Sequence, residues 1–115
     1  IHTADIFSTI AEAAGISESK YFNSQSFYNT LSNSTISERA YNYSEILDND
    51  KPAKSGFTIR NERYKLIVLD NNSYRFYDLK NDPYEKNNLM NGNLSIEQQN
   101  ILDKLIIEAS NFRKK

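Results

Sequence analysis

Asp78, Asp82 and Glu85 are the side chains of this chain whose types and spacing come nearest to doing chemistry. Each supplies carboxylate oxygens within a short stretch, the donor type that a hard cation takes. A structural reading stands beside this one and is simpler. Asp82-Pro83 starts a turn in which the aspartate accepts backbone N–H groups, Pro83 fixes the backbone that follows, and Leu89 re-enters the core after Asn87-Asn88. Asp48-Asn49-Asp50 is similar to the opening of a calcium loop, but Pro52 stands where a third ligand belongs, which leaves a polar turn. His2 is the only histidine and sits at the extreme N-terminus, so neither a Ser-His-acid triad nor a two-histidine metal site has support.

The absence of cysteine removes disulfides, thiolate ligands and a thiol nucleophile. Glycines at 15, 56 and 92 alone make no phosphate-binding loop. Arg60, Arg63, Lys65 and Arg75 interleave with Tyr64, Tyr74, Phe76 and Tyr77, as they would on a nucleic-acid-binding sheet. Fourteen Lys and Arg against fifteen Asp and Glu give a net charge of -1, however, and so no field to gather a polyanion. The pattern reads as a solvated strand face with the rings in the core, and no nucleic-acid partner is expected. The residues themselves therefore assign no catalytic, cofactor-binding or metal position.

The elements that must hold these side chains are few. At 115 residues the chain suits one small domain with one modest core. The longest aliphatic run, Leu66 to Leu69, is far short of the ~20 residues a membrane span needs. A first residue Ile1 in place of Met gives the chain the look of a processed product or an excised piece. Sequons at Asn33, Asn42, Asn71 and Asn93 matter only in a eukaryotic secretory pathway.

Ile6, Phe7, Ile10, Ala13 and Ala14 fall on helical spacing, with Thr3 available as N-cap and Gly15 as the stop. Residues 17–38 read as a long Ser- and Asn-rich connection with room for one short helical turn, and a connection of that length calls for a partner surface. Strands are expected at 39–47, 57–60, 64–69 and 74–79, with a loop at 48–55 and short polar links between the later three, as in an antiparallel meander. In the third strand Tyr64, Leu66 and Val68 point one way and Ile67 and Leu69 the other, so the sheet should be covered on both faces. Ser95 and Gln98 form a capping box before Ile101, Leu102, Leu105, Ile106, Ala109 and Phe112, one apolar stripe that can cover one face. The other face is left to the first helix, a second copy or an absent domain. The expected class is α+β: a four-stranded antiparallel sheet packed by a C-terminal helix and preceded by an N-terminal helix.

Three segments, in order, resemble the C-terminal region of sulfatases. Asp5-Ile6-Phe7-Ser8-Thr9 continuing to Ala14-Gly15-Ile16 resembles the family's Asp-x-x-Pro-Thr segment ending in Ala-Gly-Ile. Ile59-Arg60 and Tyr64-Lys65-Leu66-Ile67 resemble its Ala-x-Arg and aromatic-Lys-aliphatic-Ile hairpin. Phe76-Tyr77-Asp78-Leu79 with Asp82-Pro83, Glu85 and Asn88-Leu89 is similar to its closing Leu-Tyr-Asp-Leu, Asp-Pro, Glu, Asn-Leu element. Ser8 stands for the usual proline and Tyr84 for a common glycine, and Asn23 to Phe27 is only loosely similar to the family's Asp-Gly-x-Ser-Phe.

The resemblance implies a piece of an arylsulfatase-like enzyme of the alkaline phosphatase superfamily, a sulfuric ester hydrolase with a periplasmic or secreted home. It implies calcium and a formylglycine nucleophile in the parent, the latter made within Cys/Ser-x-Pro-x-Arg. Pro52 and Pro83 are preceded at that distance by Asp50 and Asn81, so this chain lacks that motif. On this reading residues 1–16 are the last helix of an absent larger α/β domain, 17–38 connect, and 39–115 form the C-terminal subdomain. The missing N-terminal sulfatase domain is then the natural partner, with self-association through uncovered apolar surface expected of the chain alone. The subdomain would shape the substrate cleft, through residues 17–38 or 48–55, without being catalytic. Two alternatives remain at this stage: a phosphodiesterase or phosphonate hydrolase of the same superfamily, and a free-standing protein-interaction module.

Overall fold

A strand sends alternate side chains to opposite faces, and Tyr64 to Leu69 has apolar residues at both parities. In the computed structural model, which describes residues 3–16, 24–33, 39–47, 50 and 55–114, this stretch lies inside a four-stranded antiparallel sheet. The elements run α1 (Asp5–Ala13), α2 (Tyr28–Asn33), β1 (Asn42–Ile46), β2 (Gly56–Arg60), β3 (Tyr64–Leu69), β4 (Tyr74–Asp78), a 3-10 turn (Leu89–Asn91) and α3 (Ile96–Arg113). The sheet order is β1-β2-β3-β4, the meander expected. His2, Asp48, Asn49, Pro52, and much of the 17–38 and 48–55 connections lie outside the described residues. The structure divides into two compact units, Ile1–Asn42 and Tyr43–Lys115.

In the second unit the register places Ile59 opposite Leu66 and Leu66 opposite Phe76. Those three side chains and Leu105 of α3 are fully buried. Tyr64 stacks on Phe76 at 5.2 Å between ring centroids. Each fully buried side chain of this size contributes roughly 1.5–3 kcal/mol, so this layer is the main source of the unit's stability. The capping box forms: Gln98 N–H donates to Ser95 Oγ at 3.1 Å, and Ser95 N–H donates to Gln98 Oε1 at 2.9 Å. α3 then buries Leu102, Leu105 and Ala109, the centre of its expected stripe.

The first unit is organised the other way round. α1 forms where helical spacing places it and ends on Gly15, whose φ of 77° is the left-handed conformation glycine adopts freely. Gly15 N–H donates to Glu12 O and Ile16 N–H to Ala11 O, the paired bonds of a Schellman ending. The N-terminus differs from expectation: Ala4, not Thr3, is the N-cap, and no side chain caps it. The buried residues of α1 are Asp5, Ser8, Thr9 and Ala11, whereas Ile6, Phe7 and Ile10 are 48%, 54% and 64% exposed. The helix therefore buries its polar side within the unit and turns its apolar stripe outward.

That polar side is satisfied bond by bond. Arg39 Nε donates to Asp5 Oδ2 at 2.8 Å, its Nη2 pairs with Asp5 Oδ1, and Gln25 N–H donates to the same Oδ1 at 2.9 Å. Phe27 N–H reaches Thr9 Oγ1 at 3.1 Å, Ser24 Oγ donates to Ala4 O at 2.8 Å, and the hydroxyls of Ser8 and Ser24 meet. Breaking a buried ion pair by removing one partner costs about 3–5 kcal/mol, so losing either Asp5 or Arg39 would leave a buried charge that destabilises this unit.

Gly56 sets how closely β2 approaches β3. A Cβ there would lie 2.2 Å from Val68 O and 2.9 Å from Leu69 Cα, both backbone atoms that cannot move aside without breaking the register. Gly56→Ala is expected to destabilise the second unit by roughly 2–3 kcal/mol, through strand displacement. Urea unfolding followed by circular dichroism measures this, and a midpoint equal to that of the natural chain would refute it.

Candidate functional site

β4 ends at Asp78, which the β2–β3 turn and the turn after β4 surround with donors. Asn61 Oδ1 accepts from the backbone N–H of Arg63 at 2.9 Å and of Tyr64 at 2.7 Å, which shapes the β2–β3 turn. Arg63 thereby reaches across to β4. Its Nε lies 3.1 and 3.2 Å from Asp78 Oδ1 and Oδ2, and its Nη2 donates to Oδ2 at 2.8 Å. Asn81 Nδ2 adds a bond to Oδ2 at 2.8 Å, and Lys80 N–H one to Oδ1 at 3.2 Å. The Arg63 guanidinium also lies 4.8 Å from the centre of the Tyr64 ring.

These donors fix the protonation of the cluster. The Arg63 hydrogen bonds, ahead of the opposing effect of burial, hold the Asp78 carboxyl below its ordinary value of 3.8. Asp78 reciprocally raises the Arg63 guanidinium. Burial pushes the Tyr64 hydroxyl up, with the Arg63 charge opposing. An ionised carboxylate whose oxygens are all engaged is a structural anchor, not a proton carrier.

The three carboxylates singled out by spacing separate in space into distinct roles. Asp82 Oδ2 accepts from Asn87 N–H at 2.7 Å, closing the turn as the Asp-Pro sequence predicts. Glu85 Oε1 accepts from Lys65 Nζ at 2.7 Å. Lys65 stands opposite the buried Tyr77 in the register. Glu85 has φ of 55°, a left-handed backbone unusual for a side chain of its kind, at the end of a turn whose bonds prescribe it. Among the described residues no group of three His, Cys, Asp or Glu comes together to hold a metal ion. The donor set described does not fit calcium, and a chain without Cys/Ser-x-Pro-x-Arg does not fit formylglycine.

The cations and rings also divide. Arg63 and Lys65 are paired to carboxylates, and Tyr64 and Phe76 stack in the core. A second aromatic group lies where α3 ends. Tyr43 stacks on Phe112 at 5.3 Å and on Phe57 at 5.8 Å, Arg113 lies 5.2 Å from the Phe57 ring centre, and Arg113 Nη2 pairs with Glu45 Oε1 at 2.9 Å. Burial, then the Glu45 charge, push the Tyr43 hydroxyl up to about 12. Beside this group a crevice of about 510 Å³ runs from Asp70 and Asn72 to Arg113 and Lys114. The opposite sheet face holds an apolar groove of about 230 Å³ between Ile46, Thr58, Ile67 and Leu69.

Sequence reasoning did not find the Arg63–Asp78, Asp5–Arg39 or Glu45–Arg113 pairs. A lone charged residue next to an apolar strand or helix signals a partner without naming it.

The model of the N-sulphoglucosamine sulphohydrolase C-terminal family matches residues 1–114. Among solved structures, the chain is similar to BT4656 in complex with its substrate D-glucosamine-2-N,6-O-disulfate, at 25% identity and a TM-score of 0.72 over 92% of this chain and 22% of that one. It is similar to a candidate sulfatase of Bacteroides thetaiotaomicron VPI-5482, at 25% identity and a TM-score of 0.73 over 94% and 23%. It shares the fold of yidJ from Bacteroides fragilis, also a candidate sulfatase, at 19% identity and a TM-score of 0.67 over 95% and 24%. The chain thus spans less than a quarter of the length of these structures. No curated protein matches it.

Two titrations test the electrostatics. Because the folded Asp78 value is lowered, its stabilisation is complete above the ordinary value of 3.8 and is lost as pH falls below it. Asp78→Asn should therefore lower stability at neutral pH and flatten the loss between neutral and acid pH; an unchanged acid profile by circular dichroism would contradict this. The raised Tyr43 value has the opposite sign: its contribution is complete below the ordinary value of 10.0 and lost as pH rises through about 12. In an alkaline absorbance titration Tyr43→Phe should remove one late-ionising phenol; loss of an ordinary one instead would contradict the assignment.

Proposed function

This chain belongs to the N-sulphoglucosamine sulphohydrolase C-terminal family, and on that premise we propose that it forms the C-terminal, cleft-shaping part of a longer enzyme that hydrolyses sulfated amino sugars. The observation that carries this reading is the match of that family over residues 1–114. Similarity to BT4656, whose substrate is a disulfated glucosamine, supports the substrate class. The polar-inward α1 supports the division of labour. A helix that turns Ile6, Phe7 and Ile10 outward is built to be covered on that side, as the last helix of an adjoining α/β domain would be.

On this reading the adjoining domain is the chain's principal partner and supplies the nucleophile and cation. Formylglycine and calcium would there provide the attack on sulfur and the stabilisation of charge on its oxygens. The residues of this chain would orient and enclose: the first unit by completing the catalytic domain, the second by standing beside the cleft. A periplasmic or secreted location goes with such a substrate. Among the described residues no helix is long and apolar enough to cross a membrane.

The test is turnover with and without the upstream part. The longer protein encoded by the same reading frame should release sulfate from N-sulfoglucosamine or glucosamine 6-sulfate, while residues 1–115 alone release none, even with added calcium. Calcium-dependent turnover by the pure 115-residue chain would refute the non-catalytic role, and activity of the longer protein on phosphodiesters alone would refute the substrate class. Light scattering of the isolated chain should show association that grows with concentration, because the α1 stripe is then bare.

A further inference from the structure

The crevice of about 510 Å³ beside the C-terminal end of α3 lies wholly within the second unit. Its volume falls in the range of small-molecule clefts, roughly 300–1,000 Å³. Phe57, Val68 and Ile106 give it apolar surface, and its ends are polar. One end is the β3–β4 turn, with Asp70 and Asn72 beside Tyr74 of β4; the other is the last turn of α3, with Ser110, Arg113 and Lys114. Both ends are held before any ligand arrives. Leu69 N–H donates to Ser73 O at 3.0 Å and Asn72 N–H to Leu69 O at 2.9 Å, which closes the turn with Asn72 at φ of 61°. Arg113 is fixed between Glu45 Oε1 and the Phe57 ring; that pair engages Nη2, and a guanidinium has further N–H donors to offer. Among the described residues Lys114 has no carboxylate partner.

We propose that this crevice binds a sulfated saccharide unit. A glycan as the source of that unit rests on the reading that this chain is part of a longer sulfatase. A saccharide matches the wall because its ring has C–H faces for apolar surface and hydroxyls that donate and accept at once. Asp70 only accepts, Arg113 and Lys114 only donate, and Asn72, Ser110 and Tyr74 do both. A purely anionic ligand would meet Asp70 as a like charge, and an apolar one would leave these polar groups unmatched. The cationic end selects the substituent: Arg113 brings a planar fork and Lys114 a point charge, the donors that sulfate oxygens take. With a net charge of -1 the chain gathers no polyanion from a distance, so the hydroxyl contacts must contribute to recognition.

The test is native electrophoresis of the full-length enzyme through gels that contain a polymer of N-sulfoglucosamine and uronic acid. The enzyme should be retarded, and Lys114→Ala should raise the dissociation constant about tenfold, the loss of one charge-assisted hydrogen bond. Asn72→Gly, which suits the left-handed backbone and changes no charge, should raise it about threefold. Lys104→Ala removes an equal charge from an exposed position of α3 and should leave the constant unchanged. Equal losses at 104 and 114, or no loss from Asn72→Gly, would reduce the retention to diffuse charge and overturn the proposal. So would equal retardation by an unsulfated polymer of N-acetylglucosamine and uronic acid. Retardation in the expected pattern by an enzyme that releases no sulfate would overturn the sulfatase reading and leave the crevice assignment standing.

Discussion

A carboxylate removed from water must be given donors, and both units of this chain are organised around one. In the second, Asp78 draws Arg63 from the β2–β3 turn and Asn81 and Lys80 from the turn that follows β4. Two segments 15 positions apart in sequence are thereby brought to one point, and the strands between them inherit their register. In the first, Asp5 gathers Arg39 and the backbone of Gln25. Apolar burial supplies most of the free energy in the second unit, but it is indifferent to small shifts, whereas bidentate geometry is not.

Hydrophobic layers in this chain are complete on one side and incomplete on the other. α3 and the sheet enclose Leu66 and Leu105, while Ile67 and Leu69 border a groove. α1 goes further, with hydroxyls and a carboxylate inside and an apolar ridge outside. The arrangement agrees with the place proposed for this chain in a longer protein, and the closing turn holds Asp78, Asp82 and Glu85 in separate hydrogen bonds.

Much of this was readable because it is local. The period of two in β3, the capping box at Ser95 and Gln98 and the stop at Gly15 each depend on residues a few positions apart, and each forms as expected. What escaped reading is non-local. Helical spacing shows that Ile6, Phe7 and Ile10 share a side, but not that the neighbouring chain lies against the opposite one. Nothing near Asp5 in sequence names its partner, because Arg39 lies 34 positions away. The spacing of Asp78, Asp82 and Glu85 invited a metal reading, and only geometry shows each carboxylate engaged elsewhere.

Asn88 illustrates what such engagement achieves. Its Oδ1 accepts from Phe76 N–H at 2.9 Å, its Nδ2 lies 3.4 Å from Tyr74 O, and Asp78 O is taken by the N–H groups of Asn81 and Asp82. These are outward-facing backbone groups of β4, the last strand of the sheet. A sheet stoppered in this way resists extension by a further strand beside β4, so strand pairing cannot propagate from both edges as a growing fibril requires.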